Sequence, residues 1–198
     1  MDTVRQAARR ALEDRLEIRL AGEGGQGMIL AGVILAEAAI HDGLNAVQTQ
    51  SYGPEARGGA SRSEVIIARG EIDYPKVMVA DLLLCMSQEA CDKFYTQVKE
   101  DGCIIVDSTQ VSRLPSHRAI AVPFTQIAQE TTGRRITASM VALGFLCGLT
   151  GVVSKQALEK AVCDRVPAGT EEMNLKALAA GFAEAERLRG NGGEPVCT

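Results

Sequence analysis

Residues Glu17-Ile18-Arg19-Leu20-Ala21 run directly into Gly22-Glu23-Gly24-Gly25-Gln26-Gly27, and Met28-Ile-Leu-Ala-Gly-Val-Ile-Leu-Ala-Glu-Ala-Ala-Ile40 follows. The first five residues alternate polar and apolar side chains, which is the period of a strand. The glycine cluster predicts a tight turn. The third stretch is apolar on every face except at Glu37, so it reads as a helix buried on more than one side. His41-Asp42-Gly43 is a stop signal, and residues 45–50 supply a second strand. Strand, glycine turn, helix and strand form a βαβ unit, whose two strands are expected to be parallel with a right-handed crossover.

Working outward, Ser51-Tyr52-Gly53-Pro54-Glu55-Ala56-Arg57-Gly58-Gly59 is too rich in Gly and Pro for regular structure and reads as a loop at a strand end. Further strands are expected at 63–68, 80–86, 103–107 and 119–122, with a break at Asp73-Tyr74-Pro75. Ser87 is placed to cap a helix reaching about Lys99. Helices are expected over 138–149, 154–165 and 170–189, with Ser154 and Thr170 as caps and Glu171 and Glu172 complementing the last dipole. Gly144 and Gly148 suit close packing against a sheet or a partner subunit. The pattern is that of an α/β chain, a three-layer Rossmann-like domain with a mostly parallel sheet and helices on both faces. Residues 1–16 form an N-terminal helical extension with apolar side chains at Val4, Ala7, Ala8, Ala11 and Leu12, 17–189 a single domain, and 190–198 a flexible tail.

The 198 residues are 46% hydrophobic and 23% charged, enough for one domain with a sizeable core. A net charge of −4 and the absence of Trp argue against nucleic-acid binding. The longest apolar run, 138–149, is far short of the roughly 20 residues of a membrane span, so no membrane role is expected. No export signal is visible, which points to the cytoplasm and to reduced cysteines. The cysteines Cys85, Cys91, Cys103, Cys147, Cys163 and Cys197 include no C-x-x-C pair, which removes the usual iron–sulfur and thioredoxin signatures. His41 and His117 are far apart, neither is read as part of a ligand spacing, and no metal site is expected.

Gly22-x-Gly24-Gly25-x-Gly27 satisfies the G-x-G-x-x-G pattern in its strand-to-helix context. Glycines allow positive φ and close approach, and the helix amides then face an anion. Gly22, Gly24, Gly25, Gln26 and Gly27 are therefore candidate cofactor-binding residues; the competing reading is a tight turn and nothing more. The acidic residue that holds a nicotinamide ribose is missing from Val47-Gln48-Thr49-Gln50-Ser51, and no Gly-Lys-Ser or Gly-Lys-Thr follows the glycines. In the second loop, Ser51, Tyr52, Glu55, Arg57, Gly58 and Gly59, with Arg62 beyond it, are candidates for a ligand contact or subunit interface. In an open parallel sheet the two loops would border one crevice at the carboxyl ends of the strands. Asp107-Ser108-Thr109 reads as turn chemistry, and Cys85 and Cys103 read as core. No Ser-His or Cys-His arrangement is recognisable, so no catalytic residue is assigned.

The two glycine motifs, with Arg62-Ser63-Glu64-Val65 and Met140-Val-Ala-Leu-Gly144, resemble the gamma subunit of the 2-oxoacid:ferredoxin oxidoreductases over about residues 18–181. The resemblance implies a heteromeric enzyme that oxidatively decarboxylates a 2-oxoacid, with coenzyme A accepting the acyl group and ferredoxin the electrons. It also implies alpha and beta thiamine-enzyme subunits and a small ferredoxin-like subunit as partners. Thiamine diphosphate, Mg and the iron–sulfur clusters would sit mainly on those partners. The form of the Tyr52–Gly59 loop resembles most the branch acting on 2-oxoglutarate. Ser139 stands where the family often has Asn, which departs from the pattern. The alternatives are a stand-alone nucleotide- or anion-binding module, a pure scaffold subunit, and a homo-oligomer when the chain is isolated. Gly25→Val is expected to block ligand or partner approach at the turn; undiminished turnover of the assembled enzyme would leave this glycine a local geometric role only.

Overall fold

The structure is a computed structural model that describes residues 2–51, 60–114 and 119–190. The glycine turn lies between strand β1 (Leu16–Glu23) and helix α2 (Met28–His41), after helix α1 (Asp2–Asp14). The chain continues through β2 (Asn45–Ser51), β3 (Ala60–Ala68), β4 (Ala80–Cys85) and α3 (Gln88–Phe94) to β5 (Val98–Asp107) and β6 (Ala119–Val122). Helices α4 (Phe124–Thr132), α5 (Ala138–Thr150), α6 (Lys155–Arg165) and α7 (Glu171–Gly190) complete it. The strand order is β2-β3-β1-β4-β5-β6; β1, β4, β5 and β6 are parallel, and β3 is antiparallel to both its neighbours.

This order corrects the expected βαβ unit. Strands β1 and β2 do run the same way, but β3 is inserted between them. The connection 52–59 is shorter than the dozen or so residues a parallel crossover requires, so β2 and β3 form a hairpin. Every residue of β3 but Arg62 is buried, whereas β2 is half-exposed throughout, which sends β3 to the interior and the polar strand to the edge.

Strand alternation divides the core. Leu16, Ile18, Leu20, Val65, Ile67, Leu82, Leu84, Ile105 and Ile120 pack with α1, α2 and α4–α7 on one face. Leu83, Cys85, Ile104 and Val106 pack under α3 on the other. Glycines in α5 and α7 let the two helices meet backbone to backbone: a Cβ on Gly144 would strike the Leu178 carbonyl, and one on Gly181 the Val141 carbonyl. The neighbour of Gly144 is thus a helix of the same chain.

Ser87 and Ser154 cap their helices, accepting the N–H of Ala90 and Ala157. Thr170 instead donates its hydroxyl to the Pro167 carbonyl and accepts the Asn174 side-chain amide. The helix after Ser87 stops at Phe94 and passes through a 3-10 turn, Tyr95–Gln97, into β5, earlier than expected. The β-favouring Tyr95-Thr96 and the engagement of Gln97 by Arg19 oppose its continuation. Helix α4 had no counterpart in the sequence reading, because Phe124, Ile127 and Ala128 are its only apolar side chains.

The α3 face carries an ion pair. Arg19 on β1 stands opposite Glu64 on β3 in the ladder, and Arg19 Nε donates to Glu64 Oε1 at 2.8 Å. The guanidinium also donates to Gln97 Oε1 at 2.8 Å and to the Val77 carbonyl at 2.9 Å, and lies 5.3 Å from the Phe94 ring centre. Arg19 is 1% exposed and Glu64 6%. Removing one partner of such a pair strands the other charge and costs about 3–5 kcal/mol, whereas replacing both with apolar groups is far cheaper. Arg19→Met is therefore expected to lower stability in urea unfolding by about that amount, and the Arg19→Met, Glu64→Met double variant is expected to recover much of the loss.

Candidate functional site

Because β1, β4, β5 and β6 are parallel, their carboxyl ends meet at one rim of the sheet. A crevice of about 260 Å³ opens there, lined by Gly25 and Gln26 after β1, Met86 after β4, Gln110 after β5, Thr125 in α4, and Arg135, Ile136 and Ala138. It adjoins a second opening lined by Thr109, Thr125, Gln126, Gln129, Glu130 and Arg135. A separate groove lies between α1 and the starts of β4 and β5, but its charges offset one another: Asp81 accepts the Glu17 N–H and pairs with Lys99.

The residues of the turn have different roles. Gly25 (φ 92°) and Gly27 (φ 79°) adopt the left-handed conformation that glycine tolerates best. A Cβ on Gly27 would come within 2.8 Å of Ser139 Oγ, so the N-terminus of α2 abuts the first turn of α5. Gly22 is packed beneath the Gln26 carboxamide, which leaves no room for a side chain. Gln26 Oε1 accepts the Glu23 N–H at 2.7 Å, and its Nε2 donates to the Met86 carbonyl at 3.0 Å. Gly24 differs: its φ is ordinary, it is exposed, and a Cβ there would meet nothing within 4 Å. Nothing among the described residues requires glycine at that position.

Electrostatically, the crevice favours an anion. Gly27 gives α2 no side-chain cap, so first-turn amides of α2 are left for other acceptors, whereas α5 continues from a 3-10 turn, Arg135–Thr137, and its first amide, Ala138, already donates to the Arg135 carbonyl. The N-terminus of α4 is already served, because buried Asp107 accepts the backbone N–H and the hydroxyl of Thr125. Asp107 also accepts the Thr109 N–H at 3.0 Å, the turn chemistry read from Asp107-Ser108-Thr109. Arg135 is exposed at the rim, and no ion pair or side-chain hydrogen bond holds its guanidinium among the described residues. Arg135 and Thr125 were not singled out in the sequence. The available signal was Gly133-Arg134-Arg135 ahead of α5, which gains meaning only once α4 is in place.

Tyr52, Glu55, Arg57, Gly58 and Gly59 lie outside the described residues. The ends of that connection do not: Ser51 is paired with Arg62, and Ala60 with Glu23, at the rim that bears the glycine turn. Arg62 faces α3 rather than the crevice. Its guanidinium lies 5.5 Å from the Phe94 ring centre and 3.6 Å from Glu64, and its Nε is buried without a hydrogen-bond partner.

Other reactive groups are engaged elsewhere. Cys85 and Cys91 are hydrogen-bonded beneath α3; that bond and burial hold the Cys85 thiol well above its ordinary pKa, while the same bond lowers that of Cys91. Burial raises the Cys147 thiol strongly. Glu37 and His41, four residues apart on α2, form with Asp164 a three-residue donor cluster that the spacing of the histidines alone does not show. Its carboxylates already carry cations: Lys160 Nζ lies 2.7 Å from Asp164 and 3.2 Å from His41 Nε2, and Arg165 pairs with Glu37. The cluster ties α2 to α6, and Lys160 lowers the Asp164 pKa.

Residues 17–184 match the family model described as pyruvate ferredoxin/flavodoxin oxidoreductase. The chain is 51% identical over 185 residues to 2-oxoglutarate synthase subunit KorC of Methanocaldococcus jannaschii, covering 91% of this chain and 99% of that one. Its fold is similar to the gamma subunit of a keto/oxoacid ferredoxin oxidoreductase from Geobacter sulfurreducens, with TM-score 0.79, 52% identity, and 87% and 97% of the two chains covered. A 2-oxoglutarate:ferredoxin oxidoreductase from Magnetococcus marinus, solved with 2-oxoglutarate, coenzyme A and succinyl-CoA, is similar with TM-score 0.79 and 26% identity. That likeness covers 88% of this chain but 31% of the Magnetococcus chain, so there the same domain is part of a longer polypeptide. With the family model spanning the sheet, the glycine turn and the helices around the crevice, the chain belongs to the pyruvate ferredoxin/flavodoxin oxidoreductase family.

Proposed function

We propose that this chain is the gamma subunit of a heteromeric 2-oxoglutarate:ferredoxin oxidoreductase, and that its crevice receives the phosphate end of coenzyme A. In that reaction 2-oxoglutarate loses carbon dioxide, its remaining acyl group passes to the coenzyme A thiol, and two electrons leave to ferredoxin. The near full-length likeness to a 2-oxoglutarate synthase subunit supports the substrate. The longer Magnetococcus chain supports a partner subunit that would stand where the remainder of that polypeptide stands.

The donor chemistry supports a division of labour. Among the described residues, Glu37, His41 and Asp164 are the one donor cluster, and Lys160 and Arg165 already occupy it. Nothing there fits a four-cysteine iron–sulfur ligand set or the metal of thiamine diphosphate, so alpha, beta and ferredoxin-like partners would hold those groups. Coenzyme A does fit. Its phosphates would lie against the uncapped first turn of α2 and beside Arg135, with Met86 and Ile136 as apolar wall. The task of this chain is to bind and orient an anionic ligand; the carbon chemistry occurs elsewhere in the assembly.

The observation that carries the reading is Gly24, a glycine that nothing among the described residues requires, at the open apex of the turn. It gives a cleaner test than Gly25, whose positive φ strains any side chain. In the complex copurified with this chain, Gly24→Ala is expected to leave the thermal midpoint unchanged and raise KM for coenzyme A about tenfold, roughly 1.4 kcal/mol of lost binding. Gly27→Ala is expected to destabilise the chain itself by about 1–2 kcal/mol, because it enforces a left-handed alanine. Dye reduction that depends on both 2-oxoglutarate and coenzyme A supports the assignment. Turnover of another 2-oxoacid in its place, or an active enzyme that lacks this chain, refutes it.

A further inference from the structure

We infer that Gln26 and Glu89 are positioning residues that hold the glycine turn and the root of β3 as one hydrogen-bonded unit, with α3 as the link. Each side chain is engaged by backbone groups of the chain itself. Gln26 spends both ends of its carboxamide inside the chain, accepting from Glu23 at 2.7 Å and donating to the Met86 carbonyl at 3.0 Å. The Met86 N–H is itself bonded to the Ala21 carbonyl at 2.8 Å, so the end of β4 is fastened to β1 on one side and to the turn on the other. The next residue, Ser87, caps α3 through the Ala90 N–H. In the first turn of α3, Glu89 Oε1 accepts the N–H of Ala60 at 3.2 Å. Ala60 opposes Glu23 in the ladder, and the Ser61 hydroxyl donates to the Gly22 carbonyl at 3.1 Å. Hydrogen bonds, the Met86–Glu89 segment of the chain and the ladder pairing of Glu23 with Ala60 therefore close a ring through Glu23, Gln26, Met86, Ser87, Glu89 and Ala60.

A ring of this kind moves as a unit or opens as a unit. Displacing the turn releases Met86, Met86 carries Ser87 and the start of α3, and α3 carries the acceptor of the Ala60 amide. The functional consequence, which rests on the reading of the crevice as a coenzyme A site, is that an occupant at Gly24 and Gly25 is sensed where the 52–59 connection rejoins the sheet. Gln26 and Glu89 then set its affinity through the position of the turn rather than through their own polar contacts to it.

Amide hydrogen exchange in the full chain tests the ring without reference to activity. Gln26→Ala is expected to speed exchange at Ala60, which Gln26 does not contact, by about tenfold, and Glu89→Ala to do the same at Glu23. Glu89→Gln, whose amide oxygen still accepts, is expected to keep Ala60 protected. Gln26→Glu retains the acceptor for Glu23 but loses the donor to Met86, so it is expected to open the ring and speed exchange at both Ala60 and Glu23; it also covers the case in which Gln26→Ala does not fold. The double alanine variant is expected to exchange no faster than the faster single variant. Effects confined to each residue's own partner, or a double variant equal to the product of the singles, overturn the inference. In the assembled enzyme Gln26→Ala is expected to raise KM for coenzyme A with kcat retained. Cross-effects on exchange with that KM unmoved leave the unit standing and count against the coenzyme A assignment.

Discussion

The ion pair between Arg19 and Glu64 determines where the antiparallel strand can lie. Both groups are buried, and they face each other across β1 and β3. A slip of one residue in that ladder would turn Glu64 toward the layer that contains Ile18 and Leu20, leaving two buried charges unpaired. The register is therefore strongly specified, and Ala60 falls opposite Glu23 as a result. The placement of the hairpin beside the glycine turn is a consequence of electrostatics on the far face of the sheet. Gln97 and the Val77 carbonyl complete the coordination of Arg19 and draw β5 and the 72–80 segment into the same constraint.

With the strands so arranged, the carboxyl rim collects groups that are far apart in sequence. The turn after β1, Met86, Gln110, Thr125 and Arg135 come together because four parallel strands end on one side. Of these groups, the first-turn amides of α2 and the Arg135 guanidinium keep a capacity to bind negative charge among the described residues. Asp107 lies close by, but its charge is taken up by Thr109 and Thr125. Cys85, Cys91, Cys103 and Cys147 are buried as apolar fillers, which accords with the proposal that partner subunits carry the redox and carbon chemistry.

Much of the fold was legible because its signals are local. The strand, glycine turn and buried helix over 17–41 are marked by periodicity and by residues whose backbone freedom is needed on the spot. The caps Ser87 and Ser154 are of the same kind. Helix α4 was not legible, because nine residues with three apolar side chains carry too little periodicity. Arg135 was invisible as a site residue for the same reason, since it is placed by the helix ahead of it. Gln26 appeared as a contact residue because its motif is named for binding, yet its amide is consumed in holding the turn together.

The sequence by itself determined the α/β class, the strand-to-helix turn and the family, because each depends on short-range patterns of side-chain size, polarity and glycine. Tertiary structure alone decided that β3 lies between β1 and β2. Relative burial and the Arg19–Glu64 pairing set that arrangement, and both are properties of residues 45 positions apart in the chain. It likewise decided which glycines serve the chain and which remain open. A glycine's letter is the same in both cases, and only its neighbours in space distinguish Gly22, packed under Gln26, from Gly24, which meets no other described residue.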